Sequence, residues 1–277
     1  MVCQREKKLK EEIGRVGKEQ QFHDSWAEQV DVSTIDVDKI HSALTSPELR
    51  YIHRQLGDLA GLDLLDLGCG LGEASVGFAL RGARVTASDL SPGMLAATAE
   101  LAERYGVSVK THLSTAENLE FDAGAEFDIV YAGNLLHHVD VEETVKRIAG
   151  VVKSGGRFVS WDPLKYNPVI NVYRKMASAV RTEDEHPLGS DDLKIVEKYF
   201  SDVEFRFFWL FTLVVFLLMF LIDWRNPSAE RFWKIVVDES DRWSWLYVPL
   251  AKLDQLVLGL IPGFRWLCWN VVIVARK

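Results

Sequence analysis

Asp66, Gly68, Gly70 and Gly72 alternate with Leu67, Cys69 and Leu71, just after the apolar pair Leu64-Leu65 and upstream of a second acid, Asp89. Glycines at this spacing let a chain turn tightly and bring its backbone close to a ligand. A pyrophosphate site uses Gly-x-Gly-x-x-Gly, with the phosphates on a helix N-terminus. Here the third glycine comes one residue early and Glu73 follows it. A carboxylate there suits the dipole of the coming helix but repels a phosphate, so the expected ligand is phosphate-free, with Asp89 meeting a ribose. Farther on, His137-His138 offers imidazoles, which titrate near neutrality as a general base should. The alternative for this pair is a structural one, capping a helix or packing under a loop.

These residues need a frame of buried strand, glycine turn, helix and second strand ending in an acid, and Leu64–Leu67 and Val85–Asp89 have the composition for the two strands. Asp66-x-Gly68-x-Gly70-x-Gly72 followed by Asp89 resembles motif I and the ribose-binding acid of class I S-adenosylmethionine (SAM) methyltransferases. The similarity continues through Phe127–Asn134 and Leu135–Val139, which look like the family's fourth strand and its following loop. Lys153–Ser160 looks like the turn into the fifth. It covers about residues 60 to 163 and is closest to the small-molecule branch that includes ubiquinone and menaquinone methyltransferases.

The resemblance implies SAM as cofactor, held by Asp66, Gly68, Cys69, Gly70, Gly72 and Asp89. It implies that Leu90 and Met94 pack about the adenine and that the Gly133-Asn134 backbone lies near the methionine end. In Thr115-Ala116-Glu117 a threonine stands where the family often has an aspartate that accepts from the adenine amino group, so that contact lacks charge assistance. His137 matches the position of the histidine base in small-molecule O-methyltransferases of the His-Asp-Trp type, although His138 and Val139 replace the aspartate and tryptophan. By the same analogy His23 and Trp26 approach the methionine end from an N-terminal helix; the other reading is that this helix simply packs on the sheet.

With 277 residues and a net charge of −8, the chain can bury one large core and offers no electrostatic footprint for nucleic acid. Cys3, Cys69 and Cys268 are scattered, with neither disulfide nor zinc spacing, and methyl transfer requires no metal. The mixed charges of Gln4–Glu19 do not resemble an export signal, so a cytoplasmic setting is expected. Ser46-Pro47-Glu48 has the makings of a helix start, with a cap, a first-turn proline and an acid near the dipole.

After the fifth strand, Pro168–Ala179 reads as a helix, the stretch from Arg181 to Pro187 as a polar loop, and Ser190 opens another helix toward Tyr199. Val203–Leu210 and Trp269–Val274 read as the sixth and seventh strands. Asp162, Tyr166 and Asn167 follow the fifth strand toward the acceptor side. Arg174, Arg181, Glu185 and His186 could bind a phosphate or sugar head group, or tie down their loop as an ion-pair network. Between the last two strands lies an insertion. Phe207–Ile222 is apolar except for Thr212, too short to span a bilayer as a helix. Seven of the nine tryptophans follow residue 200, interleaved with Arg225, Arg231, Lys234, Arg242 and Arg265, a mixture suited to a membrane interface. Leu250, Leu253, Val257 and Leu260 form a helical stripe that fits a lipid surface, a lid or a dimer interface.

The fold expected is an α/β Rossmann-like sheet of seven strands, six parallel and an antiparallel last one. Residues 1–60 form a helical cap, 61–210 the cofactor-binding domain with an acceptor segment over 163–200, 211–266 the apolar insertion, and 267–277 the final strand. The function expected is methyl transfer from SAM to a lipophilic small molecule (a quinone, phenolic, polyketide or lipid, with a reduced quinone or phenol favoured) at a membrane surface, with peripheral membrane contact. The alternatives are a soluble natural-product or head-group methyltransferase with an apolar lid, and a catalytically silent SAM-binding partner protein. Oligomeric state is not specified.

Overall fold

The structure is a computed structural model that describes residues 2–119, 121, 124–177 and 185–277. Seven strands form one sheet: β1 (Asp63–Leu67), β2 (Arg84–Asp89), β3 (Val109–Leu113), β4 (Phe127–Gly133), β5 (Val152–Pro163), β6 (Ser201–Phe208) and β7 (Asn270–Arg276). Their order is β3-β2-β1-β4-β5-β7-β6, and β7 runs antiparallel to both of its neighbours. This is the expected Rossmann-like sheet. Alternation along each inner strand sends side chains to two cores. Leu65, Val130, Phe158 and Ile273 pack under α6 (Val141–Val151) and α8 (Ser190–Tyr199). Leu64, Ile129, Val159 and Val272 pack under α3 (Pro47–Leu56) and α4 (Glu73–Leu80).

The strand order reverses between β1 and β4, and a crevice opens there beyond the carboxyl ends of the parallel strands. Its walls are set by the elements around it. α1 (Val2–Gln29) lies against α5 (Pro92–Arg104), where Asp24 Oδ1 accepts from Gly93 N at 3.1 Å and from the Ser91 hydroxyl. The short α2 (Val37–Ser42) packs on α4. α7 (Pro168–Met176) starts where the sequence reading put it, with Asn167 as its cap, while Ser178 and Ala179 lie outside the described residues.

The insertion between β6 and β7 is a small helical layer with its own core. A 3₁₀ turn (Phe211–Leu213) leads into α9 (Val214–Leu221), α10 (Phe232–Asp238) and α11 (Ser240–Leu260). Trp209, Phe216, Met219, Phe232, Trp243 and Trp269 pack together. The face of α11 turned inward carries Trp243, Tyr247 and Asp254, so the proposed stripe through Leu253 and Leu260 is on the exposed side. Among the described residues, no helix is long and apolar enough to cross a membrane.

Asp254 holds this layer to the end of β6. Its buried carboxylate accepts from Phe211 N at 2.7 Å, Leu210 N at 3.2 Å, Thr212 N at 3.4 Å and Thr212 Oγ1 at 2.8 Å. Loss of such an acceptor leaves buried donors unpaired, at about 1–3 kcal/mol for each group left unsatisfied. Asp254→Ala is therefore expected to lower the melting temperature by several degrees, with Asp254→Asn intermediate, as read by thermal denaturation. An unchanged midpoint would assign the stability of this layer to its apolar contacts alone.

Candidate active site

One cavity of about 320 Å³ occupies the crevice. At one end it is bordered by the β1–α4 turn (Gly68, Cys69, Gly70, Leu71), by Asp89 and Leu90 at the end of β2, and by Thr115, Ala116 and Glu117. Gly68 N and Cys69 N donate to Ser88 O at 2.7 and 3.1 Å, which pins the turn to β2. Gly70 N donates to Asp89 Oδ2 at 3.0 Å and Ser91 N to Asp89 Oδ1 at 2.9 Å. Both carboxylate oxygens are thereby fixed in place at the cavity wall. Burial pushes the Asp89 carboxyl upward, opposed by these backbone donors.

Gly70 has φ +55°, and a Cβ there would meet open space, which is room for a ligand against the backbone. Gly72 has a different task. At φ +87°, its missing Cβ would lie 2.8 Å from the Thr98 side chain, so it permits α4 to pack against α5 and does not border the cavity. Asp66, buried behind the turn, accepts from Ser75 Oγ at 2.5 Å, and burial raises its carboxyl to about 7. Asp66, Glu73, Asp89 and Glu117 all border this end, and Glu73 pairs with Lys234 at 3.4 Å. Such a wall fits a cationic nucleoside better than a phosphorylated one. Thr115 Oγ1 accepts from Asn118 N at 3.1 Å, so its oxygen has one lone-pair direction left for a ligand.

Past Gly133 and Asn134, which also border the cavity, the chain forms a 3₁₀ turn (Leu136–His138). His137 is buried at the cavity wall, with Nδ1 2.9 Å from Asp162 Oδ1. Asp162, at the end of β5, is fully buried behind it and accepts from Ser160 Oγ at 2.5 Å and His137 N at 3.3 Å. Burial drives the Asp162 carboxyl well up, against the pull of the Ser160 hydroxyl and the backbone N–H groups of His137 and Leu136. The arrangement orients the imidazole from behind, through the Asp162 carboxyl group at Nδ1. His138 Nδ1 lies 3.0 Å from Glu19 Oε1, and His23 Nε2 3.2 Å from the same oxygen. Burial alone would raise Glu19, but the two imidazoles bring it down to about 2. Ligand atoms of His137, His138 and Glu185 lie within 4.8 Å of one another, a spacing that could hold a divalent ion.

The far end is closed by aromatic residues. Trp26 of α1 carries the Arg231 guanidinium 3.6 Å above its ring centroid, joining the N-terminal helix to the insertion across the cavity. Trp233, Val236 and Val237 of α10 form the roof, with Trp209 and Trp269 beside it. The apolar run itself contributes Trp209 to the wall; α9 stays behind, supporting α10 through Phe216 and Phe232. Glu48 and Asn270 complete this end.

Other residues singled out in the sequence lie elsewhere. Met94 is fully buried in the core between α4 and α5, behind the wall and not on it. After Pro163 the chain turns away from the cavity, because Leu164 bridges to Leu188 and Lys165 N donates to Leu188 O. Tyr166 is consequently half exposed beside Ser190, and Asn167 donates to Leu267 O. Arg174 lies along α7 near Leu164 O, and His186 is exposed, its backbone N–H donating to His137 O at 2.7 Å. Neither Tyr166, Asn167, Arg174 nor His186 borders the cavity, although Glu185 does. Arg181 lies outside the described residues. Glu19, Glu48, Arg231 and Asn270 were not anticipated. Glu48 was marked only as an acid in a first helical turn, Asn270 as an asparagine opening a strand of β-branched residues, Arg231 as one of the basic residues among the tryptophans, and Glu19 as part of a mixed-charge stretch.

Residues 65–160 match the model of a methyltransferase domain family. The chain is 38% identical over 138 residues to a ubiquinone biosynthesis O-methyltransferase of Pseudomonas syringae pv. tomato, covering 50% of this chain and 59% of that one. It is 40% identical over 111 residues to the enzyme of the same name from Methylocella silvestris, covering 40% and 42%. The chain thus spans about half the length of the curated relatives it matches. Among solved structures, it is similar to N-methyltransferase NodS of Bradyrhizobium japonicum, with a TM-score of 0.51 at 11% identity over 92% of this chain and 98% of that one. It is also similar to a phosphoethanolamine N-methyltransferase of Haemonchus contortus, with a TM-score of 0.53 at 21% identity over 83% and 52%. At these identities the likeness to the solved structures is one of fold.

Proposed function

We propose that this chain, whose residues 65–160 match a methyltransferase domain family, is a class I SAM-dependent methyltransferase that transfers a methyl group from SAM to a lipophilic small molecule enclosed beneath α10. The observation that carries this reading is the continuity of one cavity. It runs from the glycine turn and Asp89, past His137, to a wall of Trp209, Trp233 and Trp269. A polar acceptor would gain little from that wall, whereas a flat apolar one would be desolvated by it.

SAM, when bound, supplies an electrophilic methyl group, and the rest is alignment and proton handling. Asp89 is positioned to accept from the ribose hydroxyls, and the acidic wall suits the positive charge of the donor. His137 is placed to take the proton of the acceptor, with Asp162 orienting its ring at Nδ1, and the α10 roof keeps water away. Incubation of the protein with isotopically labelled SAM and a total lipid extract, followed by mass spectrometry, tests the proposal. A labelled product soluble in organic solvent is expected; calorimetric SAM binding without any labelled product would favour a silent binding protein.

The insertion serves here as a lid, since α10 faces the cavity and its supporting helices are packed behind it. A second role, contact with a lipid surface from which the acceptor is delivered, is favoured by the apolar groups on its outer side. Trp224 and Trp245 are 87% and 70% exposed, and Leu217, Leu221, Leu256 and Leu260 are exposed as well. Sedimentation with liposomes of mixed neutral and anionic lipid would detect it, and full recovery in the supernatant would remove this role while leaving the lid. The proposed setting is the cytoplasmic side of such a membrane.

A further inference from the structure

The aromatic end of the cavity holds a buried polar pair that the transfer chemistry above does not use. Glu48, in the first turn of α3, and Asn270, the first residue of β7, meet there although 222 positions separate them in the chain. Asn270 Nδ2 donates to Glu48 Oε1 at 2.7 Å. Both side chains border the cavity and both are nearly closed off, at 5% and 3% exposure, with Leu49, Trp209, Val236 and Trp269 around the same space. Asn270 Oδ1 is buried and has no hydrogen-bond partner among the described residues. An acceptor atom left open in such apolar surroundings is costly, and natural interiors keep one where something completes it.

We infer that Glu48 and Asn270 recognise a hydroxyl group on the acceptor, whose O–H donates to Asn270 Oδ1 while its ring lies among the tryptophans. Among the acceptors expected from the sequence, this pair would select one with a free ring hydroxyl over its ether or ketone. This rests on the lipophilic-acceptor reading and narrows it. Glu48 is the positioning residue of the pair: an ionised carboxylate can only accept, so it turns the amide NH₂ toward itself and the carbonyl oxygen toward the ligand. Protonated, the same carboxyl can donate, and the amide is then free to reverse and present its NH₂, which suits an ether or ketone and not a hydroxyl. Burial raises Glu48 to about 7, against the donors from Asn270, its own backbone and Trp209, so the change of preference falls near neutrality. Of the titratable groups whose charge is felt with it, Tyr131 of β4 and Tyr247 of α11 are raised well above their usual range by burial and stay neutral throughout; Asp254 of α11 and Arg50 of α3 act on Tyr247.

The test is a binding titration of the full chain with 4-hexylphenol and its methyl ether, 4-hexylanisole, followed by tryptophan fluorescence. At about pH 8 the phenol should bind about tenfold more tightly than the ether, the difference made by one hydrogen bond in a dry site. At about pH 5.5 that preference should shrink to about threefold or less. Asn270→Leu should bring the two ligands together at both pH values. Glu48→Gln, which keeps the shape of the side chain, should remove the pH dependence, an effect that a merely structural role for Glu48 would not produce. Equal binding of phenol and ether by the unaltered protein at pH 8, binding of neither, or a preference that survives Asn270→Leu would overturn the inference. None of these readouts depends on turnover. Failure of the labelled-SAM experiment with intact discrimination would remove the methyl-transfer reading alone.

Discussion

Asp89→Ala is expected to weaken SAM binding by about thirtyfold or more, corresponding to about 2 kcal/mol or more for the loss of hydrogen bonds to a charged acceptor. The effect has two sources that add. One is the direct loss of an acceptor for the ribose hydroxyls. The other is the release of Gly70 N and Ser91 N, which Asp89 Oδ2 and Oδ1 hold at 3.0 and 2.9 Å, so that the glycine turn and the start of α5 lose their common tether. Asp89→Asn separates the two, since an amide oxygen can keep one backbone donor but cannot match a carboxylate toward a diol. Calorimetry with SAM should therefore place the asparagine variant between the alanine variant and the unaltered protein. Affinity unchanged in Asp89→Ala would contradict the assignment of this end of the cavity to the nucleoside.

His137→Ala is expected to lower turnover by about a hundredfold or more, the usual scale for removal of a general base, while SAM affinity changes little. The separation is expected because His137 lies on the turn after β4, bordering the cavity between its two ends. Asp162→Asn is its companion. It preserves the size of the side chain behind Nδ1 but allows the amide NH₂ to face the ring, which favours the tautomer with the proton on the wrong nitrogen. The two variants should thus be impaired in the same step, and the double variant should be little worse than the worse single one. Initial rates with a phenolic acceptor, with SAM binding measured in parallel, check both. Normal turnover in His137→Ala would return the residue to the structural role of holding the loop after β4.

Much of the cofactor end was legible because its information is local. A glycine turn, the acid that closes the next strand and the loop after β4 each occupy a few consecutive residues, and backbone conformation alone fixes where they go. The acceptor end was less legible. Glu48 and Asn270 come from α3 and β7, and each is unremarkable in its own segment; only the sheet order, with β7 beside β5, brings them together. Extrapolation along β5 failed for Tyr166 and Asn167 since the bridge from Leu164 to Leu188 turns the chain aside within a few residues of the strand. Gly72 and Met94 belonged to the recognisable motif, yet their side-chain space is taken up by packing between α4 and α5. In the insertion, hydrophobicity marked α9 as the conspicuous element, but the roof is α10, whose Trp233 and Lys234 share a helix with apolar Val236 and so gave a weaker signal.

The antiparallel strand has a bearing on how the molecule is assembled. β6 pairs with β7 alone, and β5 has β7 on its outer side, so neither edge is completed until a segment encoded beyond the whole insertion has been made. During synthesis the first five strands can join as they emerge, whereas β6 and the apolar helices after it must wait without a sheet to rest on. That interval exposes Phe216, Met219 and Trp243 together with an unpaired strand, the combination most prone to aggregation. Ribosome-stalled chains carrying a tunnel-filling linker should accordingly be captured by chaperones far more when they stop before residue 270 than when they include residue 276, making β7 the step that commits the nascent chain to its native state.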